Sequence, residues 1–140
     1  YMANEAVCIE TPSRFARFTI AAGGISKGTL MYFSGDYTVA ATSAVDQSFA
    51  GIAWEEVTTT DFSNGKTEIT VALDGVWDIL TDDGADNVGT LMAVVGANTI
   101  GTADAADLLN GAIVGYIEEG AGNAEVVRTR LTKFGSSGAL

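Results

Sequence analysis

The sequence predicts a mainly β fold: a small β-barrel or sandwich built from two related halves, with one short α-helix at about 102–110. Three observations predict it. Short apolar or alternating runs recur along the chain, each bounded by Gly, Asp, Asn or Ser. There are 17 glycines and a single proline, a composition suited to many tight turns between short strands. Two blocks of sequence also return in the same order in the second half. At 140 residues, 47% of them hydrophobic, the chain is long enough to bury a core without disulfides or metals.

The strands follow in order. Residues 6–10 form the first. Residues 14–21 alternate, with Phe15, Arg17 and Thr19 opposite Ala16, Phe18 and Ile20, so one face is buried and the other wetter. Residues 29–34 and 37–42 come next. Residues 49–59 are rich in β-branched and aromatic side chains. Residues 67–73 and 75–80 are joined at Asp74-Gly75, a turn pair that predicts a hairpin between them. Residues 91–95, 112–118 and 125–132 complete the set. The one helical stretch has Thr102 as its N-cap, Asp104 and Asp107 in its first turns and Gly111 as its stop.

Lys27-Gly28-Thr29-Leu30-Met31 is echoed by Val88-Gly89-Thr90-Leu91-Met92. Ala50-Gly51-Ile52-Ala53-Trp54-Glu55-Glu56 is echoed by Val114-Gly115-Tyr116-Ile117-Glu118-Glu119, one residue shorter. An internal repeat of about 27–56 and 88–119 within a single domain of residues 2–133 follows. Tyr1 and the Gly/Ser-rich residues 135–140 read as additions or a flexible tail.

The chemical inventory is narrow. Eighteen acidic residues against seven basic ones give a formal net charge of -11, which disfavours nucleic acid and anionic membrane surfaces as partners. No run approaches the roughly 20 apolar residues that span a bilayer. Cys8 is the only cysteine, so no intrachain disulfide forms, and its apolar neighbours predict a small buried hydrophobe. Histidine is absent, which removes the commonest general base. Glu55-Glu56 and Glu118-Glu119 stand at strand ends, where consecutive residues face opposite sides and do not converge. Asp82-Asp83-Gly84-Ala85-Asp86 is an acidic loop without the twelve-residue calcium spacing, and reads as a solvated turn. Ala21-Ala22-Gly23-Gly24 lacks the Gly-Lys-Ser/Thr of a phosphate loop, and no Gly-x-Ser-x-Gly elbow occurs. The expectation is therefore a non-enzyme with no catalytic residue, no cofactor and no metal.

Two tryptophans, Trp54 and Trp77, are candidates for a subunit interface, where Trp is enriched; a place in the core is the alternative for each. Arg14 and Arg17 lie near one end of the chain and Arg128, Arg130 and Lys133 near the other, available to internal carboxylates or to an acidic partner.

One known family shares this order of motifs. An opening Met2-Ala3-Asn4-Glu5-Ala6 leads to Arg17-Phe18-Thr19, Ile25-Ser26-Lys27-Gly28-Thr29-Leu30 and Phe49-Ala50-Gly51-Ile52-Ala53. Asp74-Gly75-Val76-Trp77-Asp78, Val88-Gly89 and Ala112-Ile113-Val114-Gly115-Tyr116-Ile117-Glu118-Glu119 complete it. The pattern resembles the small capsid cement, or head decoration, proteins of tailed bacteriophages, from Met2 to about Lys133. It departs from typical members in its Trp content and strong acidity. The resemblance implies a structural virion protein, made in the host cytoplasm, that binds the outer surface of the capsid as a homotrimer. There it clamps neighbouring major capsid subunits. It also implies an N-terminal arm, Met2, Ala3, Asn4 and Glu5, in the capsid contact. Two other classes compete: a carbohydrate- or receptor-binding β module with exposed aromatics, and a β-barrel enzyme using two convergent carboxylates.

Overall fold

The computed structural model describes residues 4–82, 87–120 and 125–132. After a leading strand β1 (Val7–Glu10), strands β2 (Phe15–Ile20), β3 (Leu30–Gly35), β4 (Thr38–Ala41), β5 (Phe49–Ala53) and β6 (Glu68–Ala72) close a five-stranded barrel in the order β2-β4-β3-β5-β6. Strands β7 (Val76–Thr81), β8 (Leu91–Gly96), β9 (Thr99–Thr102), β10 (Ile113–Glu119) and β11 (Val126–Leu131) make a second barrel, closed where β7 meets β9. Strand β1 adds antiparallel to the start of β7. Closure leaves few free edges.

The pairing pattern is the same in both barrels. The parallel β2–β4 pair has its counterpart in β7–β9, and every antiparallel pair of the first barrel recurs in the second. Met31 stands opposite Gly51, and Met92 opposite Gly115. Leu30 stands opposite Ile52, and Leu91 opposite Tyr116.

The period-2 alternation decides what each strand buries. In the first barrel Ile20, Met31, Val39, Ala50, Ala53, Ile69 and Val71 gather with Phe18 in one cluster. Residues one step out of phase, Leu30, Phe49, Ile52 and Ala72, face the other way, yet they too are buried. They pack with Trp77, Ile79, Met92, Val94, Val114, Ile117 and Val127 of the second barrel. The outer face of the first barrel thus completes the core of the second. Each Val, Leu, Ile, Phe or Met among them stabilises the fold by about 1.5–3 kcal/mol on burial.

Four expectations need correction. The Asp74-Gly75 turn makes no hairpin: β6 pairs with β2 and β5, while β7 pairs with β1, β11 and β9, so the turn carries the chain from one barrel to the other. Gly75 has φ +101 there, and a Cβ would crowd the Glu10 carbonyl oxygen at 2.8 Å. The strand expected over 49–59 ends at Ala53. Beyond it lies a helix not foreseen, α1 (Thr59–Ser63), because Thr58 and Asp61 form a reciprocal capping box that outweighs the β preference of three threonines. The expected helix shortens to α2 (Ala105–Leu109), capped by Asp104, since Thr102 closes β9. Strand β9 was itself not foreseen.

Candidate interaction surface

The N-terminal arm is built onto a glycine turn. Met2 and Ala3 lie outside the described residues. Asn4 is exposed, in the left-handed region at φ 64. Ala6 donates its N–H to the Gly28 carbonyl at 2.8 Å. A Cβ at Gly28 (φ +93) would fall on the Ala6 carbonyl oxygen, so only glycine lets the arm approach. Glu5 is half-buried beside it, and its Oε2 is buried with no hydrogen-bond partner among the described residues. Past the arm, Val7 and Ile9 of β1 point outward while Cys8 packs on the core, where burial pushes its thiol pKa up against the pull of Lys27.

The tryptophans are brought together. Their rings meet edge to face with centroids 6.0 Å apart, and Phe15 lies against Trp54 at 5.4 Å. Lys27 Nζ sits 4.1 Å from the Trp54 ring centroid, within cation–π range. Trp77 is wholly buried and donates its indole N–H to the Asp74 carbonyl at 3.2 Å. It therefore has no surface to give a partner subunit, which corrects the interface expectation for this residue: it fills the second barrel instead. Trp54 is half-buried, its ring engaged by Lys27, Phe15 and Trp77.

Arg17, Lys66, Arg128 and Arg130 are matched by the chain's own carboxylates. Arg128 pairs with Asp78 at 3.2 Å, and Arg130 with Glu118 and, at 3.3 Å, with Glu10 of β1. Arg17 reaches Glu68 at 3.4 Å, and Lys66 reaches Glu55 at 2.7 Å. Burial pushes the Glu55 carboxyl up, but hydrogen bonds from Lys66 and Thr70 outweigh it and hold the pKa below the usual range. Glu118 and Glu119 serve Arg130 and Arg128 respectively, and do not converge. Partly exposed pairs of this kind contribute roughly 0–1 kcal/mol each. Their clearer effect is to leave the outer surface acidic.

A concave feature lies at the end of the first barrel, a cavity of about 210 Å³ lined by residues 21–25 and 39–41. Its walls are Ala, Gly, Ile and Val, and it falls below the roughly 300–1,000 Å³ of small-molecule sites. Asp107 has its pKa raised, by burial first and then by the nearby Asp104 and Asp46 charges. It is spent on capping α2: its carboxylate accepts the Asp104 N–H at 2.9 Å. No group of three or more His, Cys, Asp or Glu is placed to hold a metal among the described residues. The acidic loop at 82–86 falls, beyond Asp82, outside the described residues. Among the described residues no helix is long and apolar enough to cross a membrane.

What sequence reasoning missed is the exposed apolar set. Tyr37 is 80% exposed, Val88 71% and Leu109 70%. A signal for Tyr37 was present: it occupies the Gly35-Asp36-Tyr37 turn at φ 51, a conformation that Gly, Asn or Asp adopts more easily than an aromatic.

No family model matches the chain, and no curated protein does. Among solved structures it is similar to the N base of the head fibre protein gp8.5 of bacteriophage phi29, with 16% sequence identity and a TM-score of 0.52. The match covers 86% of this chain and 94% of that one. The similar structure is a head fibre base rather than a decoration protein, and at this identity the likeness is one of fold.

Proposed function

We propose that the chain is a structural, non-enzymatic protein of a tailed-phage virion, seated on the exterior of the capsid. There it binds the major capsid protein and clamps neighbouring subunits. The observation that supports this most is the likeness, over 86% of the chain, to the base of a phage head fibre. Two barrels sharing one core make a rigid body with a large outer surface, which suits a clamp. Many copies around one shell give avidity without a strong single contact. The arm Met2–Glu5 belongs to the proposed contact, beside the outward Val7 and Ile9 of β1. Self-association as a homotrimer belongs to the same proposal.

Co-sedimentation with expanded, undecorated capsids tests the reading. Saturable binding at a fixed ratio to capsid subunits supports it. Absence of binding to capsids of any matched virus overturns it and favours a soluble binding module.

A further inference from the structure

The two barrels repeat each other down to the parallel pair that closes each of them. Thr19 and Ile20 of β2 stand opposite Thr38 and Val39 of β4, as Leu80 and Thr81 of β7 stand opposite Thr99 and Ile100 of β9. Phe15, Ala16 and Arg17 therefore hold in the first barrel the places of Val76, Trp77 and Asp78 in the second. In both barrels the closing strand meets only two residues of its partner, because the chain turns back at Tyr37 (φ 51) or Asn98 (φ 52). In the second barrel Asn98 is buried, and the edge of β7 beyond that turn is taken by β1: Val7 pairs with Asp78, Cys8 with Trp77 and Glu10 with Val76. In the first barrel Tyr37 is 80% exposed, and no strand takes the corresponding edge of β2.

The hydrogen bonds show which backbone groups this leaves. Leu73 donates its N–H to the Arg14 carbonyl at 3.0 Å, and Ile20 donates to the Thr67 carbonyl at 3.0 Å. The even-numbered residues of β2 thus turn their backbone groups to β6. The odd-numbered ones turn theirs the other way, where Thr19 donates to the Tyr37 carbonyl at 2.8 Å. Phe15 and Arg17 face that same side, and their N–H and C=O groups have no hydrogen-bond partner among the described residues. The side chains along this edge are accessible too. Phe15 is 44% exposed, and Ala16 is half-buried where Trp77 is wholly buried. Unpaired backbone groups in such a row are a template for one more strand.

We infer that this edge of β2 takes an extended segment of another protein as an added strand, antiparallel to β2, as β1 lies on β7. The chemistry of the segment follows from β1. Its backbone meets the N–H and C=O groups of Phe15 and Arg17, and an apolar side chain at the place of Cys8 turns in toward Ala16. The chain's own β1 does not supply the strand. It is held on the second barrel by its pairing with β7, by the Ala6–Gly28 hydrogen bond and by the Glu10–Arg130 ion pair. Binding of this kind requires no capsid.

Amide hydrogen exchange and a peptide titration, both read by NMR on the purified protein, test it. In the free protein the Arg17 amide is expected to exchange at least about tenfold faster than that of Asp78, its counterpart on the paired edge. The probe is a synthetic peptide with the sequence of residues 5–11, carrying Cys8→Val against oxidation. It is expected to shift the Phe15 and Arg17 amide resonances saturably and to slow their exchange, with the β7 amides unshifted. The same peptide N-methylated at Val7 keeps every side chain but loses a backbone donor, and is expected to lose the binding. An Arg17 amide as protected as that of Asp78 overturns the inference, because the edge is then already covered. A peptide that gives no saturable shift, shifts confined to β7, or undiminished binding of the N-methylated peptide also overturns it.

Discussion

At the scale of single residues, two glycines hold matching places where strands lie closest. A Cβ on Gly115 would fall on the Arg130 carbonyl oxygen, and one on Gly51 onto the Ala72 carbonyl oxygen and Val71. Gly51 is also at φ +149, in the range that disfavours side chains. Gly96 has no atom within 4 Å of a Cβ. We therefore expect Gly115→Ala and Gly51→Ala each to cost about 3 kcal/mol or more in urea unfolding, and Gly96→Ala to stay within about 0.5 kcal/mol of wild type. Equal losses at all three would show that the close approach of the strands is not what selects glycine. The sequence echo pointed to both positions, since Gly51 and Gly115 are the second residues of its second block. It could not show that the partner atom is a backbone carbonyl, because that atom belongs to a strand distant in sequence.

At the scale of elements, the turn between the barrels and the cap of α1 are the places where polar groups do the fixing. Asp74 accepts the Ser13 N–H at 2.8 Å, the Ser13 hydroxyl at 2.7 Å and the Arg14 N–H at 3.2 Å, tying the inter-barrel turn to the start of β2. Burial pushes its carboxyl pKa up, but those hydrogen bonds outweigh it and leave it lowered. A carboxylate with a folded pKa below its unfolded value of about 3.9 contributes stability that is present above that value and lost as pH falls through the folded one. Urea midpoints at neutral pH and near pH 3 check this: wild type should lose more between the two than Asp74→Asn. Identical losses would remove Asp74 from the acid limb. For α1, Thr58→Ala should cost about 1 kcal/mol by breaking the capping box, with Thr58→Ser close to neutral in the same unfolding assay. The helix was missed because Thr58, Thr59 and Thr60 read as strand by preference, and only the Asp61 side chain returning to the Thr58 N–H at 3.0 Å reverses that. The Asp74-Gly75 turn was legible as a turn. Its role as a link between barrels was not, since a tight turn constrains direction only over a few residues.

At the scale of the whole molecule, the shared core predicts one cooperative unit. Leu30, Phe49, Ile52 and Ala72 belong by chain position to the first barrel and by packing to the second. Ile52→Ala should therefore cost about 2–5 kcal/mol and lower a single transition rather than one of two. Fluorescence of Trp54→Phe and Trp77→Phe variants reads the second and first barrel boundaries separately; coincident midpoints are expected, and two separated ones would sink the shared-core account. Strand alternation, turn glycines and the recurrence of two blocks were enough to establish, from the sequence by itself, a mainly β chain of two related halves, because those signals are local and periodic. Which strands meet, how each barrel closes and why Asn98 is buried while Tyr37 is exposed were decided only by the tertiary structure. Apolar burial is non-directional: it rewards any partner surface, and the choice among surfaces is made by the packing of the whole chain.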